Sequence, residues 1–124
     1  MLHLPLSVPL GMWHVTGAMN EAIERHRARV AQFPDHELPR FSLGKALFDA
    51  GEYAEAKEHF QVALKLKPDW MAVQILLARC ELMLGNREAA RQALERARVL
   101  AEQQNHAGPK AEVEQLLEDL ERQD

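Results

Sequence analysis

The chain has a single cysteine, Cys80, so no intrachain disulfide can form, and the expectation is a reducing, cytoplasmic setting. Surplus positive charge is also missing. Fifteen Lys and Arg stand against nineteen Asp and Glu, a net charge of −4, which offers no general field for nucleic acid or an anionic membrane as partner. No acidic or basic residue precedes Glu21, so the basic start of a secretory signal is absent. Pro5 and Pro9 interrupt the apolar beginning, and no unbroken run of about 20 apolar residues is left to cross a membrane. Aromatics make up only 6% of the residues while Ala, Leu, Glu, Arg and Gln abound, a mixture that favours helices.

The motifs of common chemistries are missing too. His3, His14, His26, His36, His59 and His106 are scattered, with no H-x3-H pair on a helical stretch, and Cys80 has no CxxC companion. There is no glycine-rich phosphate loop and no nucleophile elbow. A lone cysteine inside a helical pattern behaves as a small hydrophobe. These absences lead us to expect a protein that is not an enzyme, with no cofactor and no metal.

What is present is a repeat. Sliding the sequence by 34 residues puts Gly17 on Gly51 and Gly51 on Gly85, Ala22 on Ala56 and Ala56 on Ala90, and Pro34-Asp35 on Pro68-Asp69. A period of this length indicates stacked units, because one unit cannot bury its own apolar face. Two helices fit in each period, with a glycine turn between them and a Pro-Asp turn after them. The spacing predicts helices over 19–33, 37–50, 53–67, 70–84, 87–104 and 109–122, with Asp35 and Asp69 capping the helices that follow them. In the last segment Val113, Leu116, Leu117 and Leu120 form one apolar stripe, and the other face is acidic. Pro109 suits its first turn, and Gln103 to Gly108 reads as the connecting loop.

These residues resemble the tetratricopeptide repeat, whose pattern is W-x2-L-G-x2-Y, then A-x3-F, then P. Residues 37–70 carry Leu43-Gly44, Ala56, Phe60 and Pro68 at the matching places, but Arg40 and Leu47 stand where Trp and Tyr are usual. Residues 71–104 keep Leu77, Ala78, Ala90, Leu94 and Ala97, with Gln74 and Glu81 at the two aromatic positions. The resemblance implies an all-α, right-handed α-solenoid of helix-turn-helix repeats with a C-terminal capping helix. The expected organisation is an apolar, proline-containing extension over 1–17, and a repeat domain over 18–104 made of a half repeat (18–36) and two full repeats (37–70, 71–104). An acidic capping segment over 105–124 completes it. Residues 1–17 read either as an extended tract laid against the fold or as an extension ahead of an internal start at Met12 or Met19.

The resemblance further implies a scaffold that holds a peptide or helix of a protein partner in a concave groove, lined by the first helix of each repeat. The corresponding positions are Phe41, Lys45, Phe48 and Asp49, then Ile75, Arg79, Leu82 and Met83. Lys45 and Arg79 are one period apart, which predicts a basic ridge between apolar pockets, suited to an amphipathic or acidic segment. Capture of a chaperone tail by Lys and Asn is not favoured, since Asn20, Asn86 and Asn105 all lie outside the two groove helices. The competing expectation is a homo-oligomer formed through the exposed first half repeat and the N-terminal tract.

Overall fold

The computed structural model describes residues 10–123, and the side chains of residues 17–123. Over that range the chain forms six helices: α1 (Leu10–Gln32), α2 (Glu37–Asp49), α3 (Tyr53–Leu66), α4 (Met71–Met83), α5 (Arg87–Gln103) and α6 (Ala107–Arg122). Each packs mainly on its neighbours in sequence, so the molecule is a linear stack rather than a bundle around one centre.

The stops between helices follow from local chemistry. After α2 and α4 the chain must turn sharply, and Gly51 and Gly85 take φ of 81° and 80°, a region that costs other residues a clash at Cβ. Each turn then closes with the same pair of bonds: Gly51 N–H donates to Phe48 C=O and Glu52 N–H to Leu47 C=O, as Gly85 does to Leu82 and Asn86 to Glu81. This double bond pattern satisfies carbonyls that the helix end would otherwise leave open. Asn105, at φ 57°, closes α5 in the same way, with His106 N–H on Ala101 C=O.

Three expectations are corrected. Asp35 and Asp69 do not cap; the residues entering α2 and α4 are His36 and Trp70, neither of which makes a side-chain cap bond. The reason is the turn itself: His36 N–H donates to Phe33 C=O and Trp70 N–H to Lys67 C=O, so each Pro-Asp pair occupies the middle of a four-residue turn. The connection before α6 is shorter than Gln103 to Gly108, because α5 runs to Gln103 and α6 starts at Ala107. Lastly, α1 starts at Leu10, so a boundary drawn after residue 17 falls within a continuous helix. Gly17, the period-mate of Gly51 and Gly85, is helical: glycine permits a left-handed turn without enforcing one, and no proline lies between Leu10 and Gln32. The reading of residues 1–9 as an extended tract lies outside the described residues.

Much of the core comes from positions of the two repeats, Ala56 and Ala90, Phe60 and Leu94, and Ala63 and Ala97 each standing 34 residues apart. Leu43, Leu47, Ala56, Phe60, Ala63, Val73, Ala78, Ala90, Leu94 and Ala97 are all buried. At the α2–α3 contact a Cβ on Gly44 would come within 2.6 Å of the Phe60 ring, closer than atoms can sit, so the helix approach requires glycine there. On α6, Val113 and Leu120 are buried and Leu116 and Leu117 are half-buried against the core, while α6 as a whole packs on α5.

Candidate functional site

The predicted groove residues sit on α2 and α4, but they do not share one environment. Phe41 is half-buried, its ring 4.9 Å from Trp70 and 6.5 Å from Phe60, so much of its surface already has a partner inside the protein. Phe48 meets Tyr53 edge-on at 5.3 Å, an arrangement that favours the ring quadrupoles. Ile75 is only 7% exposed and belongs to the core. Leu82 is half-buried, and Met83, at 60% exposure, is the one apolar member of the eight that stands largely in solvent. Leu38, 63% exposed on the first turn of α2, went unnoticed in the sequence because it lies ahead of the motif's fixed positions.

The expected basic ridge is internally neutralised. Lys45 Nζ donates to both carboxylate oxygens of Asp49, at 2.7 and 2.9 Å, one turn along α2. Arg79 donates to Glu112 on α6 at 2.5 Å, so the capping helix supplies the counter-charge for α4. The first pair was readable from i,i+4 spacing. The second joins positions 33 residues apart, close to one period, which is where a sequence signal for it lay.

Two further polar clusters fill places where the repeat pattern has aromatics. Glu81, buried, receives Lys57 Nζ from α3 at 2.9 Å and the Asn86 amide at 3.1 Å. Arg40 donates to the Pro34 carbonyl at 3.4 Å and lies 3.3 Å from His59 Nδ1. His59 lies near Glu55, which in turn holds Arg27 of α1 through two hydrogen bonds. Burial, and then the Arg40 cation, hold His59 below its usual value of 6.5. Hydrogen bonding from Arg27 holds Glu55 below the usual carboxylate value. Burial pushes the Cys80 thiol up to about 11, so it is a packed neutral group with little thiolate to react.

The surface beside α2 carries a cleft of about 420 Å³, walled on one side by Met19, Ala22 and His26 of α1 and on the other by Phe41, Ser42, Lys45, Ala46 and Asp49. The structure therefore brings Phe41, Lys45 and Asp49 together, with α1 as the facing wall. A second opening of about 590 Å³ continues along the same two helices past Arg25, His26, Arg29, Leu38, Pro39 and Ser42. Among the described residues no group of three His, Cys, Asp or Glu side chains could hold a metal ion, and no helix is long and apolar enough to cross a membrane.

Comparison with known proteins agrees with the fold. A TPR repeat-containing protein of Pseudomonas aeruginosa is 35% identical over 95 residues, spanning 77% of this chain and 89% of that one. Among solved structures, PcrH of Pseudomonas aeruginosa in complex with the chaperone binding region of PopD superposes with a TM-score of 0.80 at 22% identity, over 90% of this chain and 85% of that one. The TPR2B domain of yeast Sti1, in its complex with pHsp70, gives a TM-score of 0.78 at 17% identity, over 92% and 91% of the two chains. The family model for the tetratricopeptide repeat matches residues 47–120. The spacing of the repeats and the matched residues agree, and the chain belongs to the tetratricopeptide repeat family.

Proposed function

We propose that the protein is a non-catalytic, cytoplasmic scaffold that holds a peptide or a helix of a protein partner along the face formed by α2 and α4. The observation that carries this reading is the cleft beside α2, where Met19, Ala22, Phe41 and Ala46 offer apolar surface next to the exposed Lys45–Asp49 pair. Apolar concavities with a few polar groups at the rim are where ligands and peptides find both burial and orientation. Solved structures of this fold include PcrH in complex with the chaperone binding region of PopD and the TPR2B domain of Sti1 in its complex with pHsp70, which supports a protein partner here. The paired state of Lys45 and Arg79 changes the expected preference: an acid on the partner would have to compete with Asp49 and Glu112, so apolar anchors supply most of the affinity.

The test is a pull-down from native lysate with the unaltered protein beside Leu38→Ser, Lys45→Glu and Met83→Ser variants, followed by titration of the recovered partner residue by residue. The partner should be lost from the variants, and its titration should move signals on α1, α2 and α4. Full retention by all three variants, with shifts confined to α3 and α5, would refute the assignment. The competing reading, a homo-oligomer formed through α1, would cover the same cleft. Light scattering over a range of concentrations separates the two, since the scaffold reading expects a constant monomer mass.

A further inference from the structure

Another opening lies further along the stack. Between α3 and α5, over the start of α4, a cleft of about 390 Å³ is lined by Pro68, Gln74, Glu95, Arg96, Val99 and Leu100. An adjoining one of about 530 Å³ shares Pro68, Gln74 and Arg96 with it and adds Gln61, Leu64, Lys65 and Leu77. Gln74 stands at the position where the repeat pattern has Trp, so a shorter side chain takes the place of the ring that would fill this space. The preceding repeat also lacks its Trp, but there Arg40 satisfies itself on Pro34 and His59. Gln74 does not. It is 4% exposed, and its Nε2 meets no acceptor among the described residues, an expensive condition for a buried amide.

The charges around the cleft point the same way. Arg27, Lys45, Lys57, Arg79 and Arg98 each face a carboxylate, whereas Lys65 and Arg96 meet none among the described residues. Glu95 also lines the cleft, but its carboxylate is held by Arg98 at 2.6 Å and leaves Arg96 uncompensated. The same two adjoining clefts are lined by Leu64, Pro68, Leu77 and Val99, the last 46% exposed. The combination is a buried donor, two free cations and an aliphatic lining.

We propose that this cleft between α3 and α5 is a second binding site, which takes a short acidic and aliphatic peptide segment of a protein partner. An aliphatic side chain of the segment lies against Leu64, Leu77 and Val99, its carboxylate sits between Lys65 and Arg96, and a main-chain carbonyl accepts from Gln74. The site is independent of the face formed by α2 and α4, and either can be wrong while the other holds.

The probe is a terminally blocked peptide of sequence Leu-Leu-Glu-Leu-Gly, compared with its counterpart carrying Gln in place of Glu, titrated into the full chain and followed by amide shifts. Saturable shifts are expected at residues 61–77 and 95–100, with binding about tenfold weaker or more for the Gln peptide and for the Lys65→Glu, Arg96→Glu double variant. Gln74→Trp places the family's usual ring in the cleft and should abolish the shifts while keeping the helical spectrum. If that variant fails to fold, the surface double variant, which removes no core atom, still decides the question. The proposal is overturned if the shifts are absent at millimolar peptide, if they fall on α2 and the groove side of α4 instead, or if both peptides bind equally. It is likewise overturned if the free protein forms a dimer that the double variant abolishes, because the occupant would then be a second copy of this chain.

Discussion

At Gly44 the absence of a side chain sets the distance between α2 and α3, since the smallest addition would enter the Phe60 ring. Gly44→Ala should therefore lower stability by about 1–3 kcal/mol through overpacking, read as a drop in the urea midpoint with an unchanged helical spectrum. An unaltered midpoint would mean that the Phe60 ring yields, and that the contact is looser than it looks. The neighbouring repeat has Ala78 at the same place, fully buried, so its helix pair leaves room for the methyl group that the α2–α3 contact excludes. Cys80 gives a second residue-scale prediction. With its thiol pushed up to about 11 by burial, native protein should react with a thiol reagent far more slowly than unfolded protein. Equal rates near neutral pH would place the thiol outside the core.

Among the elements, α6 is the one whose role can be tested by removal. Its stripe of Val113, Leu116, Leu117 and Leu120 covers the end of the stack, and it is tied down from both preceding helices. Arg87 of α5 donates to the Leu120 carbonyl at 2.7 Å, and Arg79 of α4 donates to Glu112. A chain ending at Gly108 should expose the buried face of α5, melt earlier, and associate at concentrations where the full chain is monomeric. A truncated protein that is equally stable and equally monodisperse would make α6 a tail. The loss of Glu112 should also leave Arg79 free, so any partner with acidic residues should bind the truncated chain with a stronger salt dependence.

On the scale of the molecule, the chain of Arg27, Glu55, His59 and Arg40 links α1, α3 and α2 and couples the end of the stack to pH. His59 is held below 6.5 in the fold, so the unfolded chain takes up its proton first as pH falls. Stability is thus highest above that value, declines as pH drops through it, and stops declining on this account once the folded protein is protonated too. Glu55, held below its ordinary value, acts lower: its contribution is present above about pH 4.5 and disappears as pH falls through the value it has in the fold. Urea midpoints between about pH 8 and pH 5 should fall for the native sequence and stay nearly flat for His59→Gln. Parallel curves for the two proteins would assign the decline to another group.

The sequence by itself determined the helix pairs, the 34-residue period, the turn glycines Gly51 and Gly85, the small residues at the contacts and the apolar stripe of the last helix. All of these depend on what lies a few residues away or one period away, and that information repeats along the chain. Tertiary structure decided the rest. Whether Gly17 turns or stays helical depends on the helix around it, and whether Asp35 caps depends on the turn that holds it. The charge on the predicted groove residues was decided in the same way: Lys45 found Asp49 on its own helix, but Arg79 is neutralised only because α6 folds back beside α4. The state of Gln74 is the sharpest case, since a polar residue at an aromatic position reads identically to Arg40 in sequence. Only the packing of α3, α4 and α5 around it leaves one side chain satisfied and the other without an acceptor.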